Sequence, residues 1–472
     1  MALQPIPLAG ESYQLTSTPA AQHRLMNLYP EALPDGGRAK YYLKSTSGLV
    51  QTATAGAGPI LSMASVGGSL FVISGTEAHL LADAGPPFQF NLGSVGALAG
   101  THEHASIAVG LVGPVFCVPP RAYVGDFAGS AVSQITAGGG NWPAAGVSSV
   151  CYLDGYYVFT ARDGSYFFTS DLLSPTVFSG VSFARMSSEV DFFGHCTAFN
   201  HELWLWGGRT VSVWYNTGDP TTPFSPRTGA VIHKGCGAYR SIVELDGSLW
   251  WLATDGCVYR TVGYQAKRVS THAIEELLAD YADSNFQTVS ACGFTHEGHG
   301  FYALQLPSIG RTFVYDVTTG LWHERSSTNG GTGIWTINAA CQRQGVTFFG
   351  DSVDGKLWLM ERGTLTEKGV SVQRLAQLPG LVTHGPRAFM SRLEIEMQVG
   401  IAGASSMLLS WSDDGGVNYS TPRSLSTGSA GQTRTRVATT RLGSFRQRVL
   451  RLQAAGPVSV YAVDVDMGAG DS

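Results

Sequence analysis

The sequence predicts an all-β protein, a β-propeller followed by a C-terminal β-sandwich, and three observations carry that expectation. Short apolar runs rich in Val, Thr, Tyr, Phe and Trp recur between turns, while amphipathic helical runs are rare. Glycine supplies 59 of 472 residues with no collagen-like period, well above the usual roughly 7%, which points to many tight turns. The stretch Ile242 to Arg260 shows the unit that repeats: an apolar run, Asp246-Gly247, Ser248-Leu249-Trp250-Trp251-Leu252, then Asp255-Gly256 and Cys257-Val258-Tyr259. Asp-Gly between such runs supplies the positive φ of a tight hairpin, so these four turn residues read as structural.

Composition bounds the rest. A chain this long, 44% hydrophobic and 14% charged, can bury a large core and has a length prior of roughly two to three domains. The net charge of -5 lacks the electrostatic footprint of a dedicated DNA-binding protein. The amino end lacks the basic and apolar segments of a signal peptide, and no run is long enough to span a bilayer, so a soluble protein made in a cytoplasm, without membrane insertion, is expected. Seven widely spaced cysteines, mostly inside apolar strands, argue for reduced, buried thiols.

Residues 1 to 55 read as an N-terminal arm, interrupted by Pro5, Pro7, Pro19, Pro30 and Pro34. A propeller is expected over residues 56 to 361. Its anchors are Gly68, Gly113, Gly155, His201, Gly247, Gly300 and Gly345, each before a strongly apolar strand. The spacing stays near the roughly 45 residues of a four-stranded blade, which predicts seven blades, with six as the alternative. A second glycine (Gly75, Gly164, Gly208, Gly256, Gly310, Gly355) follows most anchors by one hairpin length. A lone hairpin could not hide its apolar face, whereas a radial array can. In the longest interval Ile274, Leu277, Leu278 and Tyr281 form one helical stripe after Ser270-Thr271, predicting an inserted helix over about 270 to 283. Residues 362 to 385 read as a linker and 386 to 472 as the sandwich, where Tyr461, Val463 and Val465 alternate with Ala462, Asp464 and Asp466.

Few constellations suggest chemistry. Thr101-His102-Glu103-His104 and His296-Glu297-Gly298-His299 lack the HExxH spacing that places two imidazoles on one helix face, so solvated loop histidines are expected in place of a metal site. Ser412, Asp414 and Gly416, with Tyr419, fit the Asp-box pattern, whose Ser and Asp tie a hairpin together through the backbone. A sialidase-like glycoside hydrolase would need an arginine cluster, a Tyr nucleophile with a Glu partner, and an acid. Arg162, Arg185, Arg209, Arg240 and Arg260 with Glu202 or Glu244 follow no consistent blade position. Arg434, Arg436, Arg441, Arg446, Arg448 and Arg451 are the one charge cluster, suited to phosphate or an acidic neighbour, against the alternative of a solvated sheet face. There is no phosphate-binding glycine loop and no nucleophile elbow, so no catalytic residue, metal or cofactor is expected.

An ordered set of phrases resembles the packaged-DNA stabilisation proteins, also called tail hub or tail accessory proteins, of short-tailed bacteriophages (podoviruses). The set opens with Asn27-Leu28-Tyr29-Pro30-Glu31 and Gly56-Ala57-Gly58-Pro59-Ile60. It continues through Gly208 to Trp214, Ile274 to Leu278 and Phe313 to Asp316, and closes with Ser412 to Tyr419 and Arg441 to Arg446. The resemblance implies a non-enzymatic virion component assembled in the host cytoplasm. It implies a ring of copies, most simply a hexamer, below the portal and its adaptor protein, continuing the channel for double-stranded DNA. The ring would meet a tail needle or plug and carry fibres or spikes. A propeller glycoside hydrolase, or a carbohydrate- or receptor-binding propeller, stays open as the alternative.

Overall fold

Most anchor turns lie where the chain reverses between the first and second strands of a blade. Asp154-Gly155, Asn200-His201, Asp246-Gly247 and Gln344-Gly345 all have positive φ at both positions, the geometry whose twist matches that of paired strands. In the sixth blade the same turn is Glu297-Gly298, and Gly300 lies just inside the following strand, His299–Leu306. The structure, a computed structural model, describes residues 3–8, 23–33, 40–66, 68–81, 88–91, 105–126, 132–136, 142–185, 191–279, 286–327, 333–383, 386–401 and 406–469.

Among the described residues, seven four-stranded antiparallel units follow one another. Their first strands, Ile60–Val66, Ser106–Val109, Val147–Leu153, His195–Phe199, Val243–Leu245, Ser290–His296 and Ile337–Arg343, surround one central cavity. Six of the units are separate sheets; the sixth in chain order, from Ser290 to Arg325, is one end of a ten-stranded sheet that runs on into the sandwich. Second strands lie between neighbouring blades. Pro114–Val118, Tyr156–Ala161, Glu202–Trp206 and Ser248–Leu252 are therefore buried at every residue, with no apolar-polar alternation.

The segment expected as an arm is woven into the sheets. Gly48–Thr54 pairs with Lys356–Glu361 as the outer strand of the seventh blade, so the ring closes on a strand from the amino end of the chain. Arg24–Met26 runs parallel to Leu321–Arg325 on one side and antiparallel to Arg374–Gln377 on the other. Gln4–Ile6 and Tyr41–Ser45 pair with the last strand, Ser459–Ala469, and Leu28–Ala32 pairs with Tyr41–Ser45. The passage expected as a linker likewise contains paired strands, Arg374–Gln377 and Leu381–Val382, both on Gln447–Ala454. Prolines misled here: Pro5 and Pro30 sit in strands at positions a ladder tolerates.

The helix spans His272–Ala279. Ile274 and Leu278 are buried beside Trp250 and Trp322 on the flank of the fifth and sixth blades, and the expected stripe residue Tyr281 lies outside the described residues. In the sandwich, Leu393, Ile395, Leu409, Leu450, Leu452, Val463 and Val465 close one core between the two sheets. All seven cysteines are free thiols.

Candidate assembly sites and the central cavity

The predicted turn residues act through the backbone. Asp246 and Gly247 have φ of 52° and 62°. Asp255 Oδ1 accepts from Cys257 N at 3.1 Å, and Oδ2 accepts from Lys234 Nζ and the Tyr259 hydroxyl, both at 2.8 Å, with Gly256 at φ 74° completing the turn. Burial opposes ionisation of Asp255, but the bonds from Lys234 and Tyr259 outweigh it and hold the carboxyl below its usual range. In the second turn the Ser412 hydroxyl donates to Asp414 at 2.5 Å and accepts from Gly416 N at 2.8 Å. The Ser412 hydroxyl and the Asn418 N–H hold the Asp414 carboxyl down to about 2.

The six sandwich arginines do not converge. Arg448 is buried: its guanidinium grips Asp413 through Nε at 2.7 Å and Nη2 at 2.8 Å, donates to Leu442 O, and lies against Phe445. Arg451 lies over the Tyr419 ring. These two brace the sheet. Arg434, Arg436, Arg441 and Arg446 are exposed, with Arg436 paired to Glu394 at 2.9 Å and Arg441 held at φ 60° in a turn.

The histidine phrases separate. His102 and His104 lie outside the described residues. His296 bonds Ser47 at 2.9 Å, while His299 is held between Asp316 at 2.8 Å and Glu31 at 3.1 Å. Among the described residues no group of three or more His, Cys, Asp or Glu side chains could hold a metal ion.

Residues 24–33 and 40–44 form a clip that sequence reading missed. Asn27, at φ 55°, receives Ser326 N on Oδ1 at 3.0 Å, and its Nδ2 donates to Ser326 O at 3.1 Å and Gln373 O at 2.8 Å. It thus ties the edge of the sixth blade to the sandwich. Two residues on, Tyr29 packs edge-on against His299 and Phe301. Glu31 bonds Lys44 at 3.1 Å, and Lys44 reaches Glu297 at 2.9 Å. Beneath lies Glu324, buried between Arg24 at 2.8 Å and Arg311 at 2.5 Å; burial disfavours its charge, but the two guanidinium groups hold it ionised. Asp316 raises His299, whereas burial drives its neighbour His323 down to about 3. The signal was present in Trp322-His323-Glu324-Arg325, a polar run on an outer blade strand, but only the covering chain explains its burial.

The cavity enclosed by the first strands measures about 490 Å³, within the range of small-molecule sites. Arg240 and Glu244 line it, but Glu202 does not: it accepts from the Tyr264 hydroxyl at 2.9 Å and pairs with Arg227 between the fourth and fifth blades. Arg260 lies over Trp250. The acid, base and arginine cluster of a sialidase-like site are therefore not brought together among the described residues.

A propeller clipped to an all-β sandwich is the architecture that the site residues serve. Family comparison makes this specific: residues 4–364 match the family model described as bacteriophage P22 Gp10, beta-propeller, and residues 374–468 that described as bacteriophage P22 Gp10, beta-sandwich. The chain belongs to this family of bacteriophage structural proteins. No curated protein matches it. Among solved structures, PorZ, a surface component of the type-IX secretion system of Porphyromonas gingivalis, is 10% identical, over 73% of this chain and 44% of that one, with a TM-score of 0.39. The chain thus spans less than half the length of PorZ. The extracellular domain of the two component system BT4673 of B. thetaiotaomicron is 10% identical over 85% and 57%, TM-score 0.44. The dihydro-heme d1 dehydrogenase NirN is 11% identical over 84% and 80%, TM-score 0.39. No helix among the described residues is long and apolar enough to cross a membrane.

Proposed function

We propose that this bacteriophage structural protein acts as a tail hub subunit. Copies form a ring, most simply a hexamer, below the portal and its adaptor, retain packaged DNA, and join the tail needle or plug and the peripheral fibres or spikes. The observation that carries this reading is the match of both domains, in order, to the Gp10 family. The clip supports it, because a sandwich locked to the propeller gives a stiff block suited to repeated ring contacts.

The cavity bears on where DNA would pass. At about 490 Å³ it cannot admit a duplex whose major groove alone is about 12 Å wide, so the DNA channel would run between copies. An acidic chain, net charge -5, would let DNA slide without the counterion release that makes basic proteins bind tightly. We assign the exposed Arg434, Arg436, Arg441 and Arg446 to contact with phosphate or an acidic neighbouring subunit.

Virions assembled without this protein test the proposal. They are expected to fill with DNA and then lose it; particles that retain DNA normally would refute the stabilising role. Serine at all four exposed arginines should reduce incorporation into particles while leaving the isolated chain folded.

A further inference from the structure

The central cavity is lined by one Lys or Arg side chain, and it forms no ion pair among the described residues. Arg240 stands in the short 3-10 turn Tyr239–Ser241 that leads from the fourth blade to the fifth, and it is the one Lys or Arg among the described residues lining the cavity. It forms no hydrogen bond or ion pair among the described residues, and burial alone depresses its pKa. Glu244, the one carboxylate on the wall, is exposed and lies further along, in the strand Val243–Leu245 next to the Asp246-Gly247 turn. Two blades along the same wall, Asn338 from the first strand of the seventh blade is 8% exposed, and its Oδ1 has no partner.

A half-buried guanidinium with no anion bonded to it is less well solvated than one in water, and an unpaired buried amide is costly. Both costs are relieved by one ligand that brings oxygen acceptors to the arginine fork and bonds the amide, whose oxygen and nitrogen exchange by a simple flip. We propose that the propeller's central cavity binds a small oxyanion, a phosphate group free or on a nucleotide-sized molecule, held by Arg240 with Asn338 as its second polar contact. The volume of about 490 Å³ has room for the larger form. This site is independent of any tail-hub role.

The test is calorimetric titration of the purified full chain with inorganic phosphate and, separately, adenosine monophosphate, in chloride at matched ionic strength. Saturable single-site binding is expected, weakened about tenfold or more in Arg240→Gln, as loss of a charged hydrogen bond requires. Arg240→Lys, which keeps the charge but not the fork, should fall between, and it carries the test if Arg240→Gln does not fold. Phosphate should also raise the melting temperature of the wild type and not of Arg240→Gln. Tighter binding of the nucleotide than of phosphate would assign the rest of the cavity to the organic group, and equal binding would restrict the site to the anion. Absence of saturable binding by either probe, or equal binding by wild type and variant, would overturn the proposal.

Discussion

The indoles of Trp206 and Trp251 meet edge to face with ring centroids 5.3 Å apart, joining the second strands of the fourth and fifth blades. The adjacent Trp250 faces the other way and stacks on Tyr302 of the sixth blade at 5.5 Å. One strand thus glues two neighbours, because successive side chains leave a strand on opposite faces. Both tryptophans are fully buried, so replacing either by alanine should cost about 3–5 kcal/mol in denaturant unfolding. Trp206→Ala combined with Trp251→Ala should cost less than the sum, since they share one contact. Additive costs would show that the ring pair is not coupled.

Closure of the ring rests on Gly48–Thr54. A Cβ on Gly48 would meet the backbone of Thr366, so Gly48→Val should detach this strand from Lys356–Glu361. Hydrogen exchange should then rise selectively in residues 356 to 361 while the Trp250 strand stays protected. Uniform exchange would mean that the latch is not a local element.

Asn27 joins propeller and sandwich through three side-chain bonds. Asn27→Ala should destabilise by about 1–3 kcal/mol for the buried backbone groups left unpaired. Asn27→Gly, which removes the same bonds but relieves the positive φ, should be slightly less harmful. Limited proteolysis should show new cutting near Gln373 in both variants, and an unchanged pattern would refute the clip.

The clip also carries opposite pH dependences. His299 is raised by Asp316 and Glu31, so its contribution is complete below the unfolded value of about 6.5 and fades as pH climbs through the higher folded value. The stability gap between wild type and His299→Gln should therefore narrow from pH 6 to pH 9. His323 is held neutral by burial, down to about 3, so acid penalises the fold between about 6.5 and that value. His323→Leu should gain on the wild type as pH falls through that window, and parallel curves would show that the imidazole is not buried in solution.

What the sequence by itself determined is local. Hairpins are contacts between residues a few positions apart, so Asp246-Gly247, Gln344-Gly345 and the Asp414 turn could be read from residue type, and their spacing revealed the propeller. The ordered phrases from Asn27 to Arg446 likewise pointed to the family that both domains match. The tertiary structure decided the long-range joints. Gly48–Thr54 finds Lys356–Glu361 some three hundred residues away, and other short strands near the amino end join two further sheets. No periodicity records such pairings, since a strand's alternation reports which face is buried and not which edge it joins. For the same reason Arg448 looked like part of a surface cluster until Asp413 and Phe445 enclosed it. Arg240 looked like one scattered arginine among five until seven strands placed it on a cavity wall, where it forms no ion pair among the described residues.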